Sequence, residues 1–474
     1  MTVLIDVNEV ETMDKAIQYI KNYNFTCTIP TYALLCPIQY TGTLLPILKK
    51  YKQLYNTNKY MKLKHVLDHT NSTNKLILLD QGKSSINSLH TDVQQLITQY
   101  NTTIQSSATI NQPIDVIPYD VNITYDNLTA EQVLARLLPS NLPIQTSFES
   151  IGHIAHININ NNLLLYKYIV GVVILHKNQP TITTVVNKIG TISNEYRVYE
   201  SELLAGVPNY IVQLKEHYIQ YKLDITQVYW NSKLSTEHVR ITDMFKSKDV
   251  VLDMCCGIGP FVLPALKKHC TVYANDLNPH SIYWLNQNIV LNKLHNPNQY
   301  DYIVENMDGK QFVHKMIQYQ LSQSTTQPIH HILMNLPALS ISFNDVFIGM
   351  YNIHMTDQQQ HIIQSAMPIA HCHCFADSNN YTSDVLTRLQ SILQYQFTTI
   401  KHTALGVVNT QYIDPVYNGM NEGTVVIHNV RNVSPNKDML CVSYRIPIEV
   451  AFRNTTIHDS VVNKEHTQKK SRIT

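Results

Sequence analysis

No run of apolar residues in this chain approaches the ~20 that a helix needs to cross a bilayer, so a helical membrane span is excluded. Charge is also scarce, at 15% of residues, and nearly balanced, with a net of +1. Such a chain has no global attraction for nucleic acid, and any RNA contact must come from local basic patches. Cys27, Cys36, Cys255, Cys256, Cys270, Cys372, Cys374 and Cys441 lack the paired spacing of a structural zinc site. Nothing near the start resembles a secretory signal, which points to a reducing compartment. The opening MTVLIDVNEVETMDKAI is acidic and has no arginine, against a standard mitochondrial presequence. What remains is the expectation of an ordinary soluble protein: 474 residues, 44% hydrophobic, enough for about three domains.

The richest stretch runs from Val250 to Pro279, VVLDMCCGIGPFVLPALKKHCTVYANDLNP. It has the order strand, glycine turn, helix, second strand, acid, which is that of a nucleotide-cofactor site in a doubly wound sheet. Gly257 and Gly259 permit a tight turn and close backbone approach to a ligand, and the helix that follows offers free N–H groups. A dinucleotide fingerprint wants a third small residue at position 262, and Val262 stands there. Acids instead end three successive strand segments: Asp253, Asp276 and Asp308. Asp253 suits an amino-acid ammonium group, Asp276 a pair of ribose hydroxyls and Asp308 an adenine amine. A ligand with those three parts is S-adenosylmethionine. Taken singly, a Gly-x-Gly is more often a matter of packing; three acids and a fourth strand motif shift that balance.

The fourth motif is HHILMNLPAL, an apolar strand that ends in Asn335-Leu336-Pro337. At least, it is a strand stiffened by proline. As a site, it sets an amide beside the cofactor where a planar base can be held. It resembles the Asn-Pro-Pro-aromatic element of nucleic-acid amino-methyltransferases, with Leu in second place and no ring in fourth, and so suggests a ring nitrogen as acceptor. His371-Cys372-His373-Cys374 invites a metal assignment, but alternate residues of a strand face opposite sides, so the four cannot converge. A buried strand is expected there.

Texture divides the chain into an N-terminal domain over 1–130, an α+β middle domain over 131–222, a cofactor domain over 223–458 and a disordered basic tail over 459–474. In the first, KKYKQLYNTNKYMKLKH interleaves lysines with Tyr51, Tyr55 and Tyr60, a pattern of single-strand RNA sites but more often a solvated face. In the second, AEQVLARLLP and residues 164–177 are helical, and HIAHININ alternates as a strand with Ala155, Ile157 and Ile159 on one face. In the third, Pro279 opens a helix.

With these residues in view, the chain resembles the archaeal and eukaryotic tRNA (guanine(37)-N1)-methyltransferase family. The likeness covers about 120–452 and rests on GHIAHINI, VVNKIGTISNEYRVYESELLAG, VYWNSKLSTEHVR, DMCCGIGPFVLP, YANDLNP, MNLPA and HNVRNVSP. It implies a class I, Rossmann-like S-adenosylmethionine-dependent methyltransferase core with an α+β middle domain and a separate N-terminal domain. It further implies methyl transfer to N1 of guanosine at tRNA position 37, by a monomer. Cytoplasmic residence is expected, with nuclear and mitochondrial-matrix pools implied only by the resemblance.

Neutral guanine carries a proton on N1, so the reaction needs a base, and the family pattern makes it Glu237. Arg197 takes the family position that stabilises charge growing on O6; from the residues alone it is as well placed to pair with Glu195 or Glu200. Tyr229 matches an aromatic near the base and cofactor, or else a core aromatic. His238, Leu277 and Gly309 join Asp253, Gly257, Gly259, Asp276, Asp308 and Asn335 in the implied cofactor site, and Pro337 and Lys233 belong to the substrate. Lys233 replaces the usual arginine, and Cys255-Cys256 replaces the usual Phe-Ala. Two other readings remain: a methyltransferase for a different RNA position, and an inactive RNA-binding protein on the same scaffold.

Overall fold

The computed structural model describes residues 10–71, 73–106, 112–189, 196, 198, 200–403 and 420–454. Arg197 and the tail over 459–474 lie outside them. The chain divides into two compact units, one of residues 1–189 with 201–208 and one of 190–200 with 209–474.

The first unit holds two four-stranded sheets. Strands β1 (Cys27–Pro37), β2 (Val66–Asp68), β3 (Asn74–Leu79) and β4 (Asp115–Ile123) pair antiparallel in the order β2-β3-β1-β4. Strands β5 (Glu149–Ile151), β6 (Ile154–Ile157), β7 (Thr184–Ile189) and β8 (Glu200–Gly206) follow one another in the second sheet. Helices α1 (Met13–Asn22), α2 (Ile38–Lys50), α3 (Thr91–Gln105), α4 (Ala130–Leu137) and α5 (Lys167–Asn178) cover them. α5 is apolar all round, from Ile169 to Leu175, and all seven of these residues are buried, as such a helix requires. Its core includes Val121 and Ile123 from the first sheet and Val185 and Leu204 from the second. This shared core makes one compact unit of the stretch expected as an N-terminal domain over 1–130 and most of the one expected as a middle domain over 131–222. β6 is shorter than HIAHININ suggested, and all four of its residues are buried, so no polar face is left to alternate.

The border with the second unit falls at 208/209 rather than 222/223. The hairpin of β9 (Ile211–Glu216) and β10 (Ile219–Asp224) belongs to the second unit because α8 (Pro279–Leu291) grips it. Asn288 of α8 accepts from Lys222 N at 2.7 Å and donates to Lys222 O at 3.1 Å.

The main sheet of the second unit has eight strands, β11 (Val250–Asp253), β12 (Thr271–Asn275), β13 (Tyr302–Glu305), β14 (His331–Met334), β15 (Ile369–Asp377), β16 (Thr399–Thr403), β17 (Thr424–Ser434) and β18 (Lys437–Arg445). They run in the order β13-β12-β11-β14-β15-β18-β17-β16. The first five are parallel and β18 enters antiparallel, giving the expected doubly wound core. VVLD and HILM are buried throughout, as central parallel strands must be.

The two faces of this sheet differ in chemistry. One carries Leu252, Ile332, Met334, Cys372, Cys374, Leu440, Val442 and Tyr444 into an apolar core. It packs against α9 (Gly309–Ser322), α10 (Asp357–Ser365) and α11 (Tyr381–Leu393), which supply Phe312, Ile363 and Leu389. The other face carries His331, His371, His373, Cys441 and Ser443, and α6 (Ser235–Asp243) lies on it. α6 buries Glu237, His238, Arg240 and Thr242 beside Ile241, which is unusual for so polar a helix.

Gly171 of α5 is a point of close approach, since a Cβ there would sit 2.5 Å from the Leu204 Cβ of β8. The change Gly171→Ala should lower unfolding stability by about 1–3 kcal/mol, the usual cost of overpacking. Thermal denaturation measures it, and an unchanged midpoint would show that α5 and β8 part without cost.

Candidate active site

The carboxyl ends of β11, β12 and β14 and the loops after them gather most of the expected residues. Asp253 is the last residue of β11 and wholly buried. Its Oδ1 accepts from Cys255 N at 3.3 Å, but Oδ2 has no partner. Burial pushes its pKa up to about 8, with the nearby charge of Asp276 adding to the rise and the Cys255 N–H opposing it.

Gly257 has a φ of +54°, and a Cβ built on it meets nothing within 4 Å. Backbone and open space together match a position that faces a ligand. Gly259, at +97°, serves packing instead: its Cβ would lie 2.6 Å from Leu285 of α8. Both glycines take the positive φ that the expected tight turn needs, and open space lies only over Gly257.

Asp276 follows β12 and ties the loops together, with Oδ2 accepting from Gly257 N and Oδ1 from Asn278 N, both at 2.8 Å. The Ser281 hydroxyl bonds the same carboxylate, which leaves one of its four lone-pair positions for a further hydroxyl donor. Leu277 beside it is exposed. Asp308 departs from expectation, since it lies three residues beyond β13 rather than at its end. It is the N-cap of α9, and Oδ1 takes the N–H groups of Lys310 and Gln311 at 3.0 and 3.1 Å. Gly309 is buried against Met254, where a Cβ would stand 3.4 Å from the backbone oxygen.

Asn335 follows β14, and its Oδ1 is buried without a partner. The oxygen of Pro337 accepts from Phe375 N at 3.1 Å, which fixes this loop against β15. Across β15 the fourth-strand pattern continues with His373, whose Nδ1 likewise makes no hydrogen bond. Asp253 lies level with Leu333 of β14 and His371 of β15, and Asn335 and His373 follow two residues further along those adjacent strands. The unpartnered buried oxygens of Asp253 and Asn335, at the carboxyl ends of adjacent strands, are atoms that a polar ligand would satisfy.

Glu237, in the first turn of α6, is buried rather than exposed. Arg240 one turn on donates from Nε to Oε2 at 2.6 Å and from Nη2 to Oε1 at 2.7 Å. His373 Nε2 meets Oε1 at 2.7 Å, and His428 Nε2 lies 3.7 Å from Oε2. Burial alone would raise the carboxyl pKa, but the Arg240 guanidinium and the His373 ring outweigh it and hold the group well below the usual carboxylate range. His373 is correspondingly raised to about 10: burial opposes its charge, and the Cys441 sulfur and Glu237 carboxylate favour it. His428 is pushed down to about 4 by burial and by Arg240.

Ligating atoms of Glu237, His373 and Cys441 lie within 4.8 Å of one another. The doubly bonded Arg240 guanidinium already neutralises the carboxylate and opposes a cation there, so the cluster is an ion-pair network. The four residues 371–374 stay apart as expected, His371 and His373 on one face and Cys372 and Cys374 on the other. Sequence patterns missed that His373 reaches Glu237 and that Arg240 does. The i,i+3 spacing of Glu237 and Arg240 was the available signal for the second.

His238 gives Nδ1 to Glu216 Oε1 at 2.7 Å and packs between Trp230 and Phe261, the latter just past the glycine turn. Tyr229 is exposed, not a core aromatic, and its hydroxyl accepts from Asn231 at 3.2 Å. Lys233 is exposed on the short turn that leads into α6.

Residues 212–379 match the family model described as the TRM5/TYW2 methyltransferase domain, and 130–209 the one described as the TYW2 N-terminal domain. A tRNA (guanine(37)-N(1))-methyltransferase of Xenopus tropicalis is 36% identical over 428 residues, 86% of this chain and 77% of the relative. One of Batrachochytrium dendrobatidis is 30% identical over 486 residues, 94% and 92% of the two chains. Against the human relative, 36% identical, the chain spans 62% of that protein's length. The solved complex of aTrm5 with tRNALeu has a similar fold, at a TM-score of 0.53 and 17% identity, covering 88% of this chain and 99% of that one.

The raised pKa of Asp253 has a signed consequence. Its folded value, about 8, lies above the ordinary unfolded value near ~3.9, so between them the folded state binds more protons and stability falls as pH rises. Without ligand, Asp253→Asn should raise the melting temperature at pH 8 and leave it nearly unchanged at pH 4. An equal effect at both would mean that Asp253 is ionised in the free protein.

Proposed function

The chain belongs to the tRNA (guanine(37)-N(1))-methyltransferase family, and from that premise we propose how its residues move a methyl group to N1 of guanosine 37. It is a methyltransferase that uses S-adenosylmethionine. What carries the reading at residue level is the pair of unpartnered buried oxygens, Asp253 Oδ2 and Asn335 Oδ1, at the carboxyl ends of the adjacent strands β11 and β14, in a unit that also holds an ionised Glu237.

These residues fit the cofactor. Asp253 offers an unpaired carboxylate oxygen to an ammonium group, and one bound there favours the ionised form that burial disfavours. Gly257 leaves room for close approach, and Asp276 keeps a lone pair for a ribose hydroxyl. Asp308 keeps Oδ2 for the adenine amine, its Oδ1 being held in the helix cap. His238, Leu277 and Gly309 border the same loops. When bound, the cofactor supplies an electrophilic methyl on a sulfonium.

The chain's own residues then do three things. Asn335 and Pro337 hold the edge of the guanine, with the free amide oxygen accepting from an N–H of the base, and this orientation lowers the entropic part of the barrier. Glu237, ionised and bonded to His373 of β15, accepts the N1 proton so that N1 gains a lone pair. Arg197 offsets the negative charge that grows on O6, an interaction stronger in the transition state than before it. Lys233 and Tyr229, both exposed, are placed for the RNA around the target base.

The direct test is labelled methyl transfer to unmodified tRNA transcripts with guanosine or adenosine at position 37. Label recovered as 1-methylguanosine only from the first is expected; label on both, or on another position, would move the substrate assignment. Glu237→Gln should cut the single-turnover rate by about 10²–10⁴, the usual worth of a placed general base. Near-normal turnover would remove Glu237 from that role. Loss of folding would show in the thermal melt, since the variant leaves Arg240 buried with weaker pairing.

A further inference from the structure

The motif HNVRNVSP occupies the second half of β17 and the turn after it. β17 runs antiparallel to β18, and β18 antiparallel to β15, so β17 has the direction of β15 and ends at the carboxyl edge of the sheet, the edge of Asp253 and Asn335. We propose that Arg431, with Lys437 beside it, grips a backbone phosphate that flanks the target guanosine, and that a β-bulge at Val430 turns Arg431 to the face that holds Glu237. This rests on a guanosine-37 tRNA being the substrate.

The bulge shows in the strand register. His428 lies opposite Cys441 and Asn429 opposite Leu440, and then the pairing shifts, with Arg431 opposite Met439 and Asn432 opposite Asp438. In an unshifted ladder Val430 would lie opposite Met439, and Arg431 opposite Asp438, an acid it could pair with. The extra residue turns Arg431 to the other side. There it shares a face with Met439, Cys441 and His428, and His428 Nε2 is 3.7 Å from Glu237 Oε2. Asp438 accepts instead from the side-chain amides of Asn429 and Asn432, both at 3.0 Å. The chain thus parts an arginine from the acid that plain alternation would give it and leaves its charge on the side of the base.

Charge and spacing at this corner suit a phosphate. Arg431 is half-buried, and among the described residues its side chain makes one hydrogen bond, from Nε to the Asn432 oxygen at 3.4 Å, which leaves both Nη groups to a ligand. A planar guanidinium fork takes a phosphate through two parallel bonds. Lys437 is exposed, its Nζ 4.2 Å above the Phe375 ring, and Phe375 N donates to the Pro337 oxygen at 3.1 Å, which ties the corner to the loop of Asn335. Asp377, opposite Lys437, accepts from the backbone and side-chain amides of Asn379 at 2.9 and 3.1 Å. Arg431 stands one strand pair nearer the edge than His428, roughly 7 Å along the sheet, a step comparable to that between a base and its own phosphate. A base extruded toward Glu237 then leaves its phosphate at Arg431. With a net charge of only +1, the chain must draw its affinity for RNA from such local cations.

The experiment measures affinity for guanosine-37 transcripts against salt, cofactor affinity, single-turnover methylation and melting temperature. It compares the intact chain with Arg431→Ala, Arg431→Lys, Lys437→Ala and Lys315→Ala. Lys315 sits on α9, which packs on the opposite face, and controls for the loss of one positive charge. Arg431→Ala should weaken tRNA binding about ten-fold, near the lower worth of a hydrogen bond to a charged group. Its salt slope should fall by about 0.7–1, the signature of one lost phosphate contact. Cofactor affinity should hold, Arg431→Lys should keep the slope, Lys437→Ala should lower it with a smaller loss of affinity, and Lys315→Ala should match the intact chain. Transcripts with an uncharged methylphosphonate at one or the other phosphate flanking guanosine 37 locate the contact. At one of them the intact chain should bind as weakly as Arg431→Ala binds the ordinary transcript, and Arg431→Ala should lose nothing further. An unchanged slope in Arg431→Ala, with the intact chain methylating guanosine 37, would discard the grip and leave the proposed function in place. Equal weakening by Lys315→Ala, or a loss of cofactor rather than tRNA affinity in Arg431→Ala, would overturn it as well. No methylation by the intact chain would remove the substrate on which the grip rests. Lys437→Ala, at an exposed position, decides by the same slope if Arg431→Ala does not fold.

Discussion

A carboxylate buried to 2% exposure, Glu237, has to be paired, and the way it is paired organises the second unit. Arg240 comes from its own helix, but His373 and His428 come from β15 and β17, so satisfying one charge fixes α6 on one face of the sheet. Removing one partner from such a network leaves an uncompensated charge in a medium that solvates it poorly, which is why these partners act as a set. The opposite face faces no such demand and is filled with aliphatic and aromatic side chains.

This asymmetry puts two groups of buried polar residues on one sheet. The carboxyl ends of β11, β12 and β14 carry Asp253, Asp276 and Asn335, where a doubly wound sheet opens between its loops. β15 and β18 carry the histidine, thiol and hydroxyl ladder that begins at Glu237. β18 runs antiparallel to β15, and its alternation places Cys441 and Ser443 opposite His373 and His371. Asp253 and Asn335 each keep a buried oxygen without a partner, while Ser443, His371 and His331 bond one another.

Local pattern alone determined a good deal of this protein. Strand, glycine turn, helix and acid from Val250 to Asp276 depend on propensity and spacing within thirty or so residues, and the doubly wound core followed from them. Asp253, Gly257, Asp276 and Asn335 stand at strand ends or in the loops between them because their positions in the motif say so. The separation of His371 and His373 from Cys372 and Cys374 follows from the two-residue period of any strand.

Tertiary structure decided the rest, since it depends on contacts between distant residues. Glu237 and His373 are 136 positions apart, and only the docking of α6 on β15 makes them partners. The grip of Asn288 on β10 moved the unit border to 208/209, and a shared core joined what composition had divided. Gly259 turned out to serve Leu285, and Asp308 a helix cap, because a glycine or an acid in sequence does not reveal what will press against it. Spacing sets which residues share a face; only packing sets what that face meets.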